Sequence, residues 1–441
     1  MRKHILIILG IFMVAAAGFW LWVSQPDEAQ LALNAVTGAR PQITPPRPQT
    51  FPTIKIADAV GWAQGAAPVP AAGLKVTAFA RGLDHPRWLY RLPNGDVLVA
   101  ESNSPPRTGG GITGMVMNHL LERAGDGVPS PNRISLLRDL DGDGVAENRT
   151  VLLSGLNSPF GMALMGGYLY IGDTDALVRV PYKEGDTRIT AKPELVVKLS
   201  GGGNHWARNV IAAPDGKTLF VTVGSSTNIA ENGIDAEKFR ANILQVYPDA
   251  KTFRIYAAGL RNPNGLAYEP HSQELWVTVN ERDMLGSDLA PDYMSQIELG
   301  DNFGWPWYYW GGYPDKRVEP ENPDLQQYSK RPDYALGAHV AALGLAFASD
   351  SRLGAKFANG AFVGEHGSWN RVPASGYKVV FVPFGDNGFP AKGAKPVDVL
   401  TGFRDKDGKA QGRPVGVITD KTGALLVADD VGNVIWRVSA K

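Results

Sequence analysis

One pattern returns six times along the chain and constrains the fold more than any other feature. A short stretch rich in Pro, Asn, Arg or Gly opens into an apolar run, a turn carrying Gly or Asp, and a second apolar run. Residues 83–89 lead in this way to 96–100, 156–163 to 168–172, 204–209 to 218–222, 260–267 to 275–278, 343–347 to 360–364, and 413–418 to 424–428. Each unit reads as strand, turn, strand, with further hairpin material such as 176–180 or 433–438 behind it. Few stretches carry a helical period, so βαβ repeats are excluded. The 51 glycines and 32 prolines supply the turns that so many short strands need. Repeated small antiparallel sheets close radially, which predicts an all-β, six-bladed β-propeller over residues 73–441, its uneven spacing putting long loops on one face.

Ahead of the repeats, Ile5 to Val23 form 19 consecutive apolar or glycine positions behind Arg2, Lys3 and His4. At ~1.5 Å per residue that run just spans a ~30 Å hydrocarbon core. Residues 1–24 are therefore expected to be an N-terminal transmembrane helix, or a signal sequence cleaved near Ala15-Ala16-Ala17. The positive residues stand before the run, so both readings export the rest, to the periplasmic face of the inner membrane if anchored and to the periplasm if cleaved. Residues 25–72, with Pro41, Pro45, Pro46, Pro48, Pro52, Pro68 and Pro70, read as a Pro/Ala-rich tether or loose wrap.

Charge and cysteine narrow the chemistry. Lys plus Arg and Asp plus Glu each total 44, so no field favours nucleic acid. The absence of cysteine removes disulfides, thiolate nucleophiles, thiolate metal sites and haem attachment, leaving a bound organic cofactor as the carrier of any redox reaction.

In a propeller the residues that open each unit converge at the channel although remote in sequence. His205, Arg208, Arg261, Asn262 and Arg413 share that phase, a set suited to an anionic ligand beside a base, or else to capping turns. The stretches 203–208, 259–267, 279–283 and 300–306 resemble the pyrroloquinoline quinone (PQQ)-dependent sugar dehydrogenases, the L-sorbosone dehydrogenase branch in particular, from about Leu83 to the C-terminus. The resemblance implies a propeller that holds PQQ and Ca²⁺ on its loop face and oxidises a sugar or sugar-derived aldehyde, passing electrons to a quinone or cytochrome acceptor. It makes His205 the general base, Arg261 a catalytic and cofactor-gripping guanidinium, and Asn262, Arg413 and Arg208 cofactor residues. The main-chain carbonyls of Arg282 and Asp283 become the Ca²⁺ ligands.

The chain departs from the family in three places. Asn204, expected at the substrate, stands where glucose-oxidising members carry aspartate, which argues against glucose. Val415 takes the place of a second clamp arginine, and the cofactor lysine is missing from 364–371, where Arg371 or His366 substitutes. An alternative Ca²⁺ cradle is the loop of Asp139, Asp141 and Asp143, which begins like an EF-hand loop, but its twelfth position is Thr150, so a polar hairpin turn is expected there. Trp305, Trp307, Tyr308, Tyr309 and Trp310 read as blade packing or, for Trp305, as a surface against which a sugar stacks. Two rival functions stay open: a Ca²⁺-dependent propeller lactonase, and a propeller that binds carbohydrate or protein without catalysis.

Overall fold

The computed structural model of the chain describes residues 10, 13–15, 18, 19, 26–49, 53–106 and 111–441, with side chains of 111–117 left aside. The expected membrane or signal segment lies largely outside the described residues, among which no helix is long and apolar enough to cross a membrane.

Six antiparallel sheets form the blades of a propeller. Their innermost strands are Pro86–Arg91, Met162–Met165, Val210–Ala212, Asn262–Tyr268, Ala342–Phe347 and Pro414–Thr419, in blades 1 to 6, and each touches the next around the ring. Blades 1 to 5 each take four strands from consecutive chain, as alternating apolar runs and tight turns dictate. Blade 6 takes three, Pro414–Thr419, Leu425–Asp429 and Val434–Ala440, and borrows its outer strand, Leu74–Arg81, from the start of the globular part. The ring is thus closed by hydrogen bonds between the two ends of the chain, which removes two open sheet edges at once.

Inner strands crowd at the axis, and small residues allow it. A Cβ on Gly344 of blade 5 would come within 2.3 Å of the Val415 carbonyl of blade 6, so only glycine lets these two backbones meet. Four inner strands also slip register near their first residues, between Pro86 and Trp88, Pro263 and Leu266, Ala342 and Gly344, and Pro414 and Val417. Such bulges re-aim the side chains that open each blade toward the channel mouth.

Two features differ from the expected organisation. The segment foreseen as a tether or loose wrap runs along the propeller as a strap. Its amides reach Val372, Leu285, Trp369 and Ala410 carbonyls, and the Trp62 indole donates to Asp429 at 2.6 Å while packing edge-on against Trp436. Val69–Pro70 adds a fifth strand to blade 5. The packed part therefore begins well before Gly73, because isolated apolar side chains such as Val36 and Ala57 find buried seats without any periodic pattern. The other is the helix Gly111–Ala124, inserted between the second and third strands of blade 1, which delivers Leu121 and Asp126 to the loop face.

Candidate functional site

The loop face holds a cavity of about 240 Å³ at the mouth of the channel. Blades 1, 3, 4 and 5 contribute to its wall through the residues that precede or open their inner strands, with Arg87, His205, Arg261, Asn262 and His339 among them, and blades 1, 4 and 5 add loops. Of the residues named by phase, His205, Arg261 and Asn262 line this wall and Arg208 and Arg413 do not, while Asn204 and Asp283, expected from the resemblance, lie among the lining residues.

His205 is half-buried, and its Nδ1 lies 2.8 Å from the Ser225 carbonyl and 3.0 Å from the Ser225 hydroxyl. A carbonyl only accepts, so Nδ1 carries the hydrogen and Nε2 is left with its lone pair. Among the described residues nothing hydrogen-bonds to that Nε2. Burial first, then the Arg261 guanidinium, pushes the imidazole pKa down to about 3, so His205 is neutral at any ordinary pH. Close approach is built in by Gly224, where a Cβ would stand 2.5 Å from the Asn262 Oδ1 and 2.6 Å from the His205 Cβ.

Arg261 lines the cavity but spends its hydrogens on the protein. Nε donates to the Asn228 carbonyl, Nη1 to the carbonyls of Asn280 and Glu281, and Nη2 to Asn228 Oδ1 at 3.0 Å and Asp283 Oδ2 at 2.9 Å. All five N–H groups of the fork are engaged. The expectation that Arg261 grips an anionic cofactor is corrected on that ground: its reach into the cavity is that of a positive charge, and its hydrogen bonds hold Asp283 and the 280–283 loop. Asp283 also faces His339 Nδ1 at 3.5 Å and accepts from Asn370 at 2.9 Å. Burial would raise the Asp283 carboxyl, but Arg261 and His339 outweigh it and hold the pKa at about 2. For His339 burial works downward, and Asp283 together with the Gly286 carbonyl turns the net shift upward.

Four other expected site residues belong to the frame. Arg208 is fully buried and donates to the carbonyls of His205, Ala207 and Ser200, so it positions the catalytic-phase backbone rather than touching a ligand. Arg371 donates to the Ser287 and Pro373 carbonyls, and the Arg282 side chain to those of Pro306 and Tyr308, both away from the cavity. Trp305 is buried with its indole on the Asn228 carbonyl, so it packs the blade instead of forming a sugar platform. In each case a buried donor has been claimed by a main-chain acceptor from a distant loop.

The group implied by the resemblance can be tested against these residues. Arg413 is buried, its guanidinium 5.0 Å from the Tyr377 ring, yet Nε and Nη2 have no partner among the described residues. Arg87 leaves its Nε unpaired, and Asn280 and Asn370 leave Oδ1. Buried donors without acceptors are costly, and Arg87 in that state at the cavity wall fits an anionic group, whereas Arg413 is not among the residues that line the cavity. Calcium fits less well. The Asp283 carbonyl already accepts from Asn228 at 3.2 Å and from the Arg317 guanidinium at 3.1 Å, so a cation stands where the resemblance puts the metal. At Asp139, Asp141 and Asp143 each carboxylate accepts amides of its own turn, and together with Glu147 these residues bring carboxylate oxygens within 4.8 Å of one another.

Arg87, Asp126, Asn280, Asp292 and His339 were not singled out from the sequence. Arg87 sits in the first repeat at the phase of the other arginines and was within reach of that argument. His339 is a single residue at φ 58° between two strands, with no sequence signal.

Comparison with known proteins places this geometry. An uncharacterized protein of Borreliella burgdorferi is 30% identical over 308 residues, covering 67% of this chain and 79% of its own. An aldose sugar dehydrogenase of Escherichia coli is 27% identical over 171 residues, 35% of this chain and 43% of that protein. The holo form of the pyranose dehydrogenase PQQ domain from Coprinopsis cinerea superposes with a TM-score of 0.66 at 19% identity, covering 87% of this chain and 100% of that domain. A family model described as TrAA12-like matches residues 68–297 and 287–441, nearly the whole propeller, and on that match the chain belongs to the TrAA12-like family.

Proposed function

We propose that the protein is an exported PQQ-dependent dehydrogenase that oxidises a sugar or sugar-derived aldehyde of the sorbosone type. The observation that carries this reading is His205: a neutral imidazole whose Nδ1 hydrogen is fixed on Ser225 and whose Nε2 lone pair is unclaimed at the wall of a cavity that Arg87 lines with an unpaired donor. Arg87 at the cavity wall is suited to hold a cofactor carboxylate, with Asn262 and His366 beside it, and Arg413, outside the lining residues but close enough to His366 to lower its pKa, is a second candidate. Bound there, PQQ would supply a two-electron acceptor for the hydride of a C–H bond. His205 takes the proton of the substrate hydroxyl at Nε2, and Ser225 keeps the imidazole turned for that task. Asn204, exposed at the mouth, offers an amide to a substrate hydroxyl without the charge of an aspartate. No step is routed through calcium. Against the lactonase reading, two of the cavity's carboxylates are already committed: both Asp292 oxygens accept backbone amides, of Glu281 and Ala341, and Asp283 is held by Arg261.

Reconstitution tests the proposal. Purified protein titrated with PQQ should gain absorbance changes that saturate at one equivalent and reduce an artificial acceptor with aldoses or hydroxyaldehydes. His205→Gln should retain PQQ binding while turnover falls roughly 10²- to 10⁴-fold, the range of general-base contributions. Full activity in that variant overturns the mechanism, and absence of PQQ binding in the parent overturns the cofactor. Export is read from fractionation of cells expressing the full chain, and cytoplasmic recovery would count against it.

A further inference from the structure

Beside the cavity, three potential ligands meet from three separate parts of the chain. His85 precedes the inner strand of blade 1, Asp430 follows the strand Leu425–Asp429 of blade 6, and Asp126 follows the helix Gly111–Ala124. One ligand atom from each lies within 4.8 Å of the other two.

The tautomer of His85 is decisive. Its Nδ1 stands 2.9 Å from the Ser102 carbonyl, which can only accept, so Nδ1 bears the hydrogen and Nε2 is a lone pair. That Nε2 is buried and has no partner among the described residues, and the same holds for Asp430 Oδ1. Arg87 is the counter-ion of Asp430, whereas Asp126, beside the same lone pair, has no ion-pair partner among the described residues. A second proton on Nε2 does not answer the need, because Asp430 Oδ2 is 4.0 Å away, beyond hydrogen-bond length. The Asp430 oxygen that no donor reaches is Oδ1, which leaves its lone pairs for an ion.

The surroundings complete the case. Imidazoles that bind metals commonly anchor their other nitrogen on a backbone carbonyl, as His85 does on Ser102. Asp430 is fixed on its Oδ2 side by Arg87 and by His366 at 2.8 Å, leaving Oδ1 to point elsewhere. With Arg87 balancing one carboxylate, about one negative charge is left to offset part of a divalent ion. A cleft of about 620 Å³ between the strap at 59–61 and the loop at 128–131 reaches His85 and Asp430 from outside. Asp126 lines the central cavity as well, so positions not filled by protein face that cavity.

We propose that His85, Asp126 and Asp430 bind one first-row divalent cation of the zinc class through one imidazole nitrogen and two carboxylate oxygens. The nitrogen ligand and the small ligand count favour Zn²⁺ or Co²⁺ over Ca²⁺, which takes six to eight oxygens. The ion ties the helix-bearing insertion of blade 1 to blade 6 at the edge of the cavity.

The test uses the full chain, stripped of metal with chelator and dialysed. Equilibrium dialysis with Zn²⁺ should give one equivalent per chain, Co²⁺ should give the visible absorbance of a low-coordinate site, and Zn²⁺ should raise the melting temperature, since an ion bound only by the folded state stabilises it. Millimolar Ca²⁺ should not displace the ion. Asp126→Asn, on a half-buried loop where folding is not at risk, should weaken binding at least tenfold, and His85→Gln more. Binding that is absent in the parent, unchanged in Asp126→Asn, or displaced by Ca²⁺ would overturn the proposal.

Discussion

Arg261→Ala separates a structural guanidinium from a ligand-gripping one. Arg261 is 5% exposed and makes five hydrogen bonds, and it is the leading favourable influence on Asp283. Asp283 is held at about 2 against a reference value of 3.8, so its carboxylate favours the folded state by roughly 2 kcal/mol at neutral pH. Because that pKa is depressed, the contribution is present above about pH 4 and disappears as pH falls through 2. Truncating Arg261 leaves Asp283 buried with only His339 and Asn370, and removing one partner of a buried pair costs about 3 to 5 kcal/mol. Urea unfolding at pH 7 without any cofactor should show that loss. Asp283→Asn in the Arg261→Ala background removes the stranded charge and should restore more than 1 kcal/mol, giving a coupling visible in the double-mutant cycle. If Arg261→Ala is as stable as the parent at pH 7, or if the second substitution restores nothing, the assignment of Arg261 to the frame is refuted.

Other expectations follow from the same structure. The imidazole of His205 titrates near 3, so the acid limb of the rate profile between pH 5 and 7 should not report its protonation, and a limb at 6.5 abolished by His205→Gln would contradict the environment described. Glu365 is buried with Oε2 unpaired, and burial raises its pKa to about 8. Stability linked to Glu365 is present below about pH 4.5 and lost as pH rises through 8, so Glu365→Gln should be more stable than the parent at pH 9 by a few kcal/mol and near-equal at pH 5, as read by chemical unfolding. Gly224→Ala pushes His205 and Asn262 apart and should cut turnover at least tenfold with the circular dichroism spectrum unchanged, whereas full activity would mean the contact relaxes freely. With the Asp283 carbonyl occupied by Arg317, PQQ affinity should be the same in a calcium-selective chelator as in millimolar Ca²⁺, and a strict calcium requirement would show that Arg317 gives way.

How much was legible in the sequence depends on how local the determinant is. Six recurrences of strand, turn and strand specify a propeller because each unit has an apolar face that only its neighbours can cover, and the opening position of every unit must then lie at the channel. That is why His205, Arg208, Arg261, Asn262 and Arg413 could be named together from spacing alone, although only His205, Arg261 and Asn262 of them line the cavity, and why Arg87, at the same phase, could have been added. The use each guanidinium is put to is a different kind of fact. Arg208, Arg282, Arg261 and Arg371 look alike in sequence, but each is committed by carbonyls on loops whose paths are set by the packing of whole blades. Arg413 is left with free donors only because no such carbonyl arrives. The strap before Gly73 and the meeting of His85, Asp126 and Asp430 are likewise invisible to any local pattern. Periodicity encodes which face of a strand is buried; which distant acceptor satisfies a buried donor is decided only when the ring closes, through hydrogen bonds between residues that no spacing relates.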